Sequence, residues 1–439
     1  MVVDAGNWGW KNPDIAPHLL EQQRLKAELV AGAYALLGQD AMMVGAGDLA
    51  LGLPWLEGLG QRHSLPLLNA NLSCEGREPF AGSRVVERGG LRVGLVGLIS
   101  AGARVPAGCT LGSPVTALQE EVAALGTVDV LVLLAQVDGK EAIGLATAVP
   151  AVDLIVTADP GAQFDAPRAA PGEALILAPG SRGKRLGVAE IALIEGATGF
   201  ASESSIQRIA DELDRARARL ASAEGELAKA EGEQARARKE RQITYYRDKV
   251  PQLEAELAQA TASRPALSHR LTNKLIGLDA HIVDHPATAA LLTAGKAGLE
   301  AAVPKTVSGT GQGPYIGTAA CEGCHAAAAA QWRSTGHAHA WNTLERVGRQ
   351  ADQACFSCHA TGAGLPGGPA TPTEVTPSLV HVGCESCHGP GKAHVADPKG
   401  VQMVSKPGEA VCVTCHDGKQ DEGRFDLPRY LPRVSHGGP

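Results

Sequence analysis

Ten cysteines are spread unevenly along this chain of 439 residues, and eight of them fall within its last 119 residues. They form four copies of the pattern Cys-x-x-Cys-His, at Cys321/Cys324/His325, Cys355/Cys358/His359, Cys384/Cys387/His388 and Cys412/Cys415/His416. Two thiols at this spacing add to the two vinyl groups of a haem, and the adjacent imidazole binds the iron as its proximal ligand. The sequence therefore predicts four covalently attached haem c groups.

Cysteine pairs at this spacing have other uses, as zinc ligands or as redox-active dithiols. Neither use requires a histidine directly after the second cysteine, and here that histidine follows all four pairs. The repetition therefore favours haem attachment over a structural zinc site.

The part of the chain that carries the four motifs is poor in apolar side chains. Residues 313–439 contain 18 Leu, Ile, Val or Phe among 127 residues, or 14%. A segment with less than about 20% of these residues rarely buries enough apolar surface to fold alone. Haem groups would supply the missing apolar interior, so we expect this segment to be largely disordered without them.

Five more histidines in this region are candidates for the second axial position of an iron: His337, His339, His381, His394 and His436. A second histidine makes a haem iron low-spin and suits it to electron transfer. We predict His337, His394 and His436 as distal ligands, with His339 and His381 as possible ones. His394 lies six residues after His388, which favours a role at a neighbouring haem. If neither His339 nor His381 binds, one iron is open to small ligands.

Further elements surround the motifs: Tyr315-Ile-Gly317, Trp332-Arg-Ser334-Thr-Gly-His337-Ala-His-Ala340, His359-Ala-Thr361-Gly362, Val382-Gly-Cys384, Gly389-Pro390-Gly-Lys-Ala-His394, Phe425 and His436. This order resembles the tetrahaem cytochrome c-554 family over about residues 313–439. The resemblance implies a compact, mostly helical and irregular four-haem module with stacked rings and mostly bis-histidine ligation. It also implies electron relay between redox partner proteins, and it carries over His337, His394 and His436 as distal ligands. Some relatives leave one haem five-coordinate.

The front of the chain, from Met1 to about Leu193, alternates short apolar runs with helical stretches. Buried strands are predicted at Leu91–Ile99, Val128–Leu134, Val152–Thr157 and Ala174–Ala178, and helices at Ile15–Leu37 and Val115–Leu125. Short β-branched runs bounded by glycine and proline are typical of a layered α/β unit. At roughly 190 residues the segment is long enough to bury its own core.

Segments of this front part are similar, in order, to motifs of the 5′-nucleotidase-like metallophosphatases: Val3–Asn7, Gln39–Gly52, Leu68–Leu72, Arg92–Leu98, Val128–Gln136 and Val152–Asp159. That family binds two metal ions at strand ends. The scaffold of its motifs remains here, but the ligands are lost: Asn7, Gly45-Ala46-Gly47-Asp48, Gln136 and Ala158–Gly161 stand where the family has its ligands. The family's first motif would lie before Met1, so we expect the chain to be truncated at its start.

Two-metal hydrolysis needs carboxylate, amide and imidazole ligands that converge on ions about 3.5–4 Å apart. Ala46, Gly47 and Gly161 offer no ligand atoms in their side chains. We therefore predict a phosphatase-like domain without phosphatase activity, which acts as a scaffold or docking surface. The residues of this vestigial metal site could bind one ion weakly or simply cap turns and helices; they are Asp4, Asn7, Asp48 and Asp159.

Between the two parts a heptad pattern predicts a long charged helix. Apolar residues recur every seven positions at Ile206, Leu213, Leu220 and Leu227. A second series at the complementary seam position interleaves with them, at Ile209, Ala216, Ala223, Ala230 and Ala237. A second run after Thr244–Tyr246 favours an antiparallel coiled-coil hairpin over a parallel dimer. The hairpin could also serve self-association or docking. The predicted domains are thus 1–200, 201–270 for the hairpin, 271–312 for a helix and a Gly/Ser/Thr-rich linker, and 313–439 for the tetrahaem domain.

Charge and hydropathy argue against nucleic-acid binding and against a transmembrane segment. With 40 basic and 47 acidic residues the net charge is −7, which gives no broad cationic surface for nucleic acid. Charged residues interrupt the apolar runs well before the length of about 18 residues that a membrane-spanning helix needs. We therefore expect neither nucleic-acid partners nor a transmembrane segment.

Thioether attachment of haem takes place outside the cytoplasm, so a periplasmic or otherwise exported protein is expected. The first residues, Met1–Gly6, lack the charged and apolar regions of a signal peptide, which agrees with a truncated start. Cys74 and Cys109 are the two cysteines outside the motifs. In an oxidising compartment they either form a disulfide or remain free.

The sequence supports three hypotheses about function. The first is a multihaem cytochrome that carries electrons between redox partners and uses the front domain as a scaffold. The second is a haem oxidoreductase that acts on a small nitrogen or oxygen species at an open iron. The third is a working metal-dependent phosphohydrolase fused to a cytochrome.

Overall fold

The computed structural model describes residues 1–10, 14–16, 19–159, 167–170, 174–181, 183–197, 199–227, 232–262, 268–279, 281–303, 313–418 and 424–436. By its internal contacts the chain divides into two compact units. The first contains Met1–Ile15 and Val30–His285, and the second contains Ala16–Leu29 and Pro286–Pro439.

The strands of the first unit are β1 (Val3–Asp4), β2 (Ala41–Met43), β3 (Leu67–Leu68), β4 (Leu72–Cys74), β5 (Ser83–Arg88), β6 (Leu91–Ile99), β7 (Cys109–Leu111), β8 (Val130–Gln136), β9 (Leu154–Thr157), β10 (Arg168–Ala169), β11 (Leu175–Leu177), β12 (Arg185–Ala192), β13 (Phe200–Ser202) and β14 (His269–Gly277). Helix α1 (Leu20–Leu37) begins in the second unit and ends in the first. The other helices of the first unit are α2 (Leu53–His63), α3 (Pro114–Leu125), α4 (Gly139–Ala148), α5 (Glu203–Leu227) and α6 (Glu233–Ala262), with a 3-10 turn at Asp48–Leu51.

The helices of the second unit are short except for the first: α7 (Pro286–Ala301), α8 (Ala326–Arg333), α9 (Ala340–Glu345), α10 (Gln353–Phe356), α11 (Cys384–His388), α12 (Lys392–Ala396), α13 (Glu409–Cys412) and α14 (Leu427–Val434). Single 3-10 turns lie at Thr318–Ala320, Gly336–His339 and Pro372–Glu374.

Six strands of the first unit form its central sheet in the order β10-β11-β9-β8-β6-β5. The four inner strands are parallel to one another, and each edge strand is antiparallel to the inner strand beside it. The inner strands are the four that the sequence predicts, and α3 matches a predicted helix, so these predictions are confirmed. Apolar runs without alternation mark them because both faces of such a sheet are covered.

The two faces of the central sheet are covered by different layers. On β8, Leu133 packs in one cluster with Leu118 of α3. Its neighbour Leu134 packs in the other cluster with Met43 of β2. Because successive side chains of a strand point to opposite faces, the sheet lies between a helical layer and a layer of smaller sheets. The predicted layered α/β fold of the front part is confirmed.

The smaller sheets have the orders β1-β2-β3, β4-β7 and β12-β14-β13. Cys74 on β4 and Cys109 on β7 lie opposite each other and form a disulfide, so of the two alternatives the structure has the paired one. Strand β14 is a finding that the sequence analysis does not anticipate, because polar residues such as Asn273 and Lys274 interrupt its apolar pattern. Only Leu271 of this strand is fully buried.

Helices α5 and α6 pack against each other in antiparallel orientation. Ion pairs join Arg217 to Glu254 and Arg247 to Glu224, so residue numbers rise along one helix as they fall along the other. The residues buried between the helices include Leu213, Ala216 and Leu253. The apolar seam is therefore covered by the chain itself, as the hairpin prediction requires.

The second arm of this helical pair is longer than the sequence indicates. Thr244–Tyr246, expected before the second helix, lie inside α6, which already begins at Glu233. Gly232 directly precedes α6 with a φ of +88°, a left-handed conformation that favours glycine. Ala230 of the predicted seam lies outside the described residues.

In the second unit the first turns of α1 are held by a buried side chain. Gln22 is 1% exposed, and its amide donates hydrogen bonds to the carbonyl groups of Leu299 and Ala351. Its own carbonyl accepts the N–H of Gln353 at the start of α10. The start of α1, which the sequence assigns to the front domain, thus contacts the segment that leads into the second Cys-x-x-Cys-His motif.

An acid-sensitive ion pair strengthens this attachment. Asp352 is buried and lies 2.7 Å from Lys26 Nζ and 2.6 Å from Arg349 Nη2. Burial acts against ionisation, but the charges and hydrogen bonds of Lys26 and Arg349 hold the pKa of Asp352 below its usual value. A lowered carboxyl pKa stabilises the folded state above the unfolded value of about 3.9, and this stabilisation is lost as the pH falls through the lowered pKa.

We therefore expect the second unit to lose stability below about pH 4. Asp352→Asn should remove part of this pH dependence and lower the free energy of unfolding by about 2 kcal/mol at neutral pH. Unfolding followed by circular dichroism between pH 3 and pH 7 measures both effects. Equal pH dependence in the two proteins would contradict the assignment.

Candidate functional site

All four Cys-x-x-Cys-His motifs lie in the second unit, and each is built on a single helical turn. In the first motif the N–H of His325 donates to the carbonyl of Cys321, and in the fourth His416 donates to Cys412 in the same way. A helical turn brings residues three and four apart to the same side. Both cysteines and the histidine of a motif therefore share one face, as attachment to one ring requires.

Three motif histidines each face a histidine from another part of the unit. The ring centres are 6.5 Å apart for His325 and His394, 6.3 Å for His416 and His337, and 5.7 Å for His388 and His436. Two imidazoles that bind one metal through nitrogens at about 2.0–2.1 Å have ring centres roughly 6 Å apart. The structure thus brings each of the three expected distal histidines to one motif histidine.

Hydrogen bonds orient several of these rings. The Nδ1 atoms of His359, His388 and His394 lie 2.7, 2.5 and 2.7 Å from the backbone carbonyl oxygens of Ala340, Val404 and Val401. A ring that donates from Nδ1 to a carbonyl keeps the lone pair on Nε2 for a metal. The donor set therefore fits haem iron, at His394 as well as at two motif histidines.

His359, in the second motif, differs from the other three. Among the described residues no histidine ring faces it, and the two remaining candidates, His339 and His381, lie 6.5 Å from each other instead. His381 Nδ1 accepts the N–H of Trp341 at 3.1 Å. In a neutral ring the proton is then on Nε2, which leaves no lone pair there for iron. Neither candidate is thus placed as the distal ligand of the iron that His359 would bind.

Cysteine contacts give the order of the motifs in space. A hydrogen bond between the thiols raises the pKa of Cys321 beside Cys384, and another does the same for Cys358 beside Cys415. Burial, together with the nearby Cys412, also raises the pKa of the Cys387 thiol. The first motif therefore adjoins the third, the third adjoins the fourth, and the fourth adjoins the second.

A buried carboxylate lies inside the third motif, and the sequence analysis assigns it no role. Glu385 is 2% exposed and accepts backbone N–H groups of Ile316, Gly317 and Gly391, the last two at 2.7 Å. These bonds connect the third motif to the Tyr315–Gly317 segment and to the glycines that precede His394. Gly317 has a φ of +86°, and a Cβ there would come within 2.3 Å of the Ser378 carbonyl oxygen.

The expected vestigial metal site of the first unit is a hydrogen-bonded cluster. Asp48 is fully buried, and its carboxylate accepts the N–H groups of Asn7, Gly9, Trp10 and Gly45 at 2.7–3.3 Å. Four donors occupy the four acceptor positions of a carboxylate. Burial raises the pKa of Asp48 to about 7, against the lowering effect of the N–H groups of Gly45 and Gly9.

Other side chains of this cluster are used in the same way. The oxygen of the Asn7 amide accepts the N–H of Gly47, and that of Gln136 accepts the N–H of Ala46, each at 2.8 Å. Asp4 accepts the Tyr34 hydroxyl at 2.6 Å, and burial raises the pKa of this carboxyl.

Asp4, Asn7, Asp48 and Gln136 therefore lie in one cluster, and their oxygens accept hydrogen bonds from protein groups. Asp159 lies just beyond β9, where its N–H donates to Thr157 Oγ1. Pro160 and Gly161 lie outside the described residues. In the part of the chain that the structure describes, no group of three or more His, Cys, Asp or Glu side chains is arranged to hold a metal ion.

The chain is similar in structure to several solved proteins. These include the sulfate thiohydrolase SoxB of Thermus thermophilus (22% identical, TM-score 0.38, 45% of this chain and 36% of that one) and a 5′-nucleotidase precursor of the same species (21%, 0.38, 44% and 42%). Another is the calcineurin-like phosphoesterase YfkN of Bacillus subtilis (19%, 0.36, 45% and 72%).

Comparisons of sequence concern the second unit. Residues 320–389 match the family model described as cytochrome c554 and c-prime. The chain is also 37% identical over 112 residues to cytochrome c-554 of Nitrosomonas europaea, over 22% of its own length. It spans about half of that curated relative, 47% of its length. The resemblance of the C-terminal part to cytochrome c-554 is thereby confirmed.

Proposed function

We propose that this protein is an exported multihaem c-type cytochrome that carries electrons between redox partner proteins through four haem c groups. The observation that carries this proposal is the set of three motif histidines that each face a second histidine at 5.7–6.5 Å. The similarity of residues 320–389 to the cytochrome c554 family supports it. A bound haem would supply a one-electron carrier at each motif.

The residues have distinct roles in this proposal. Eight cysteines form the thioether attachments: Cys321, Cys324, Cys355, Cys358, Cys384, Cys387, Cys412 and Cys415. The axial pairs are His325 with His394, His388 with His436, and His416 with His337. Two protein ligands that stay in place in both oxidation states keep structural rearrangement small during electron transfer. These three positions are thus suited to relay.

The spatial order of the motifs supports a linear route. The proximity of Cys321 to Cys384, of Cys387 to Cys412 and of Cys415 to Cys358 connects the first, third, fourth and second motifs in that order. The motif of His359 lies at one end of this series. We propose that electrons enter or leave near the first motif and that the second motif is the other terminus.

The absence of a facing histidine at His359 favours a second candidate function. Of the described histidines, none is placed to occupy the sixth position there. An open axial position would accept a small nitrogen or oxygen species. In this alternative the protein is an oxidoreductase, and the three bis-histidine positions carry electrons to or from the terminal one.

A redox-poised optical and EPR titration of the haem-loaded protein tests both functions. We expect a mass about four haems above that of the polypeptide, three low-spin signals and one high-spin signal. Cyanide or nitrite should change only the high-spin signal, and turnover of the bound species would support the oxidoreductase. Four low-spin signals would exclude the open position, and a protein without covalent haem would exclude both functions.

We propose that the first unit is a scaffold or docking surface without phosphatase activity. This proposal is supported by the cluster around Asp48, in which the side-chain oxygens of Asn7 and Gln136 also accept hydrogen bonds from backbone N–H groups. Full-length protein with added Mn²⁺ or Zn²⁺ should release no phosphate from nucleotides. Metal-dependent release would overturn this proposal and favour a phosphohydrolase fused to a cytochrome.

Export of the protein has independent support from the first unit. The Cys74–Cys109 disulfide is of the kind that persists in oxidising compartments. No helix in the described part of the chain has the length and apolarity to cross a membrane. We propose a periplasmic or other exported location, in which covalent haem attachment also takes place.

A further inference from the structure

One peptide group connects His359 to His381. The carbonyl of Ala340 accepts the Nδ1–H of His359 at 2.7 Å. The N–H of the same peptide group, which belongs to Trp341, donates to Nδ1 of His381 at 3.1 Å. The two rings are therefore attached to opposite ends of a single amide dipole.

The backbone around His381 is specialised for this position. Its φ is +73°, a left-handed conformation that is uncommon outside glycine and that asparagine, aspartate and histidine adopt more often than other residues. Its carbonyl accepts the Thr361 hydroxyl at 2.9 Å, and the backbone forms a bridge with Ala360, the residue after His359. Two attachments to the residues that follow the second motif thus fix the position of the His381 ring beside the Ala340–Trp341 peptide group.

We propose that His381 is a positioning residue for His359, acting through the Ala340–Trp341 peptide group. This inference rests on the proposed function, because His359 must bind haem iron. An acceptor at the N–H end of an amide polarises it and makes the carbonyl at the other end a stronger acceptor. A stronger acceptor at Nδ1–H raises the basicity of the imidazole and fixes its orientation. A more basic ligand favours ferric over ferrous iron, so His381 lowers the reduction potential at this motif.

A second residue on the same carbonyl gives the opposite expectation. Thr343 Oγ1 donates to the carbonyl of Ala340 at 2.6 Å and lies 3.3 Å from His359 Nδ1. The hydroxyl therefore competes with His359 for this acceptor. Thr343→Val keeps the shape of the side chain and removes the competition, so it should lower the potential at the second motif.

Two substitutions at position 381 distinguish the effect of the side-chain acceptor from the effect of the backbone conformation. His381→Asn keeps an acceptor near the place of Nδ1, and His381→Gly removes it, while both residues tolerate a positive φ. Altered partners of metal-bound histidines typically change affinity by about 10–100-fold. We expect the glycine variant to shift the ferric-to-ferrous preference at the His359 haem about tenfold, which raises its potential by about 59 mV. The asparagine variant should stay close to the wild type.

The experiment is a potentiometric titration of the full-length haem-loaded protein, with the high-spin signal followed by EPR and the three low-spin haems as internal controls. The inference is supported if the reduction potential of the His359 haem rises in His381→Gly, stays unchanged in His381→Asn and falls in Thr343→Val. Equal potentials in all proteins, or a loss of thermal stability without a change of potential, would show that His381 merely caps α9. If the glycine variant does not mature, an unchanged potential in Thr343→Val would still overturn the inference, because the Ala340 carbonyl would then have no influence on the His359 haem. A wild type with four low-spin haems would instead refute the open position proposed above, and the His359 haem would then be identified by its loss in Cys355→Ala/Cys358→Ala.

Discussion

Protein produced without covalent haem will have an unfolded second unit and a folded first unit. Among the described residues of the second unit, one buried apolar cluster contains Phe356, Ala360 and Ala363, with Trp341 and Val375 partly buried beside it. Because only 14% of residues 313–439 are Leu, Ile, Val or Phe, side chains alone bury too little apolar surface to offset the conformational entropy of ordering more than a hundred residues. The large apolar faces of the haems would supply the missing burial, so their loss removes most of the stabilisation.

The measurement is limited proteolysis followed by mass spectrometry on protein made with and without the haem-attachment machinery. Without haem, cleavage should begin throughout 313–436, while the region between β2 and β11 survives because of its two apolar clusters. The haem-loaded protein serves as the control and should resist in both units. A colourless second unit that resists protease would contradict the idea that haem forms its interior.

Replacing Asp48 by alanine will destabilise the first unit by about 4 kcal/mol. The carboxylate is the only acceptor shown for the N–H groups of Asn7, Gly9 and Trp10, and it is fully buried. Each buried donor left without a partner costs about 1–3 kcal/mol. This single substitution leaves several buried N–H groups without a partner at once. Its expected effect is therefore among the larger ones known for point substitutions.

Asp48→Asn is the matched control because it retains one acceptor oxygen and the shape of the side chain. We expect it to fall between the wild type and Asp48→Ala in chemical denaturation of the first unit, with haem spectra unchanged in all three proteins. Equal stability of Asp48→Ala and the wild type would contradict a structural role for this carboxylate and reopen the question of a ligand there.

The sequence predicts those features that depend on spacing along the chain. The Cys-x-x-Cys-His motifs show which residues share a helical turn, and the length of apolar runs identifies strands such as β6 and β8. These two inferences need only local periodicity. That Asn7, Asp48 and Gln136 belong to strand ends that meet is instead implied by the resemblance to the 5′-nucleotidase-like metallophosphatases.

Other features depend on distant partners and could not be predicted. His394 and His325 are far apart in sequence, so only the folded chain shows which ring faces which. Strand β14 is polar on one side, and its pairing with β12 and β13 is what makes it a strand. The role of Asp48 is invisible because backbone N–H groups, which every residue carries, are its partners. His381 looks like a ligand until its hydrogen bond with Trp341 is known.

The spatial order of the motifs differs from their order of synthesis. The fourth motif, which lies between the third and the second in space, leaves the ribosome last. His436, from the end of the described chain, faces His388 and is its proposed axial partner. A polypeptide that stops short of residue 412 would therefore lack the bridge to His359 and would hold two separate groups of cofactors. Early termination or proteolysis of the tail would interrupt the proposed electron route in the middle. The second motif would then be unable to exchange electrons with the first and third.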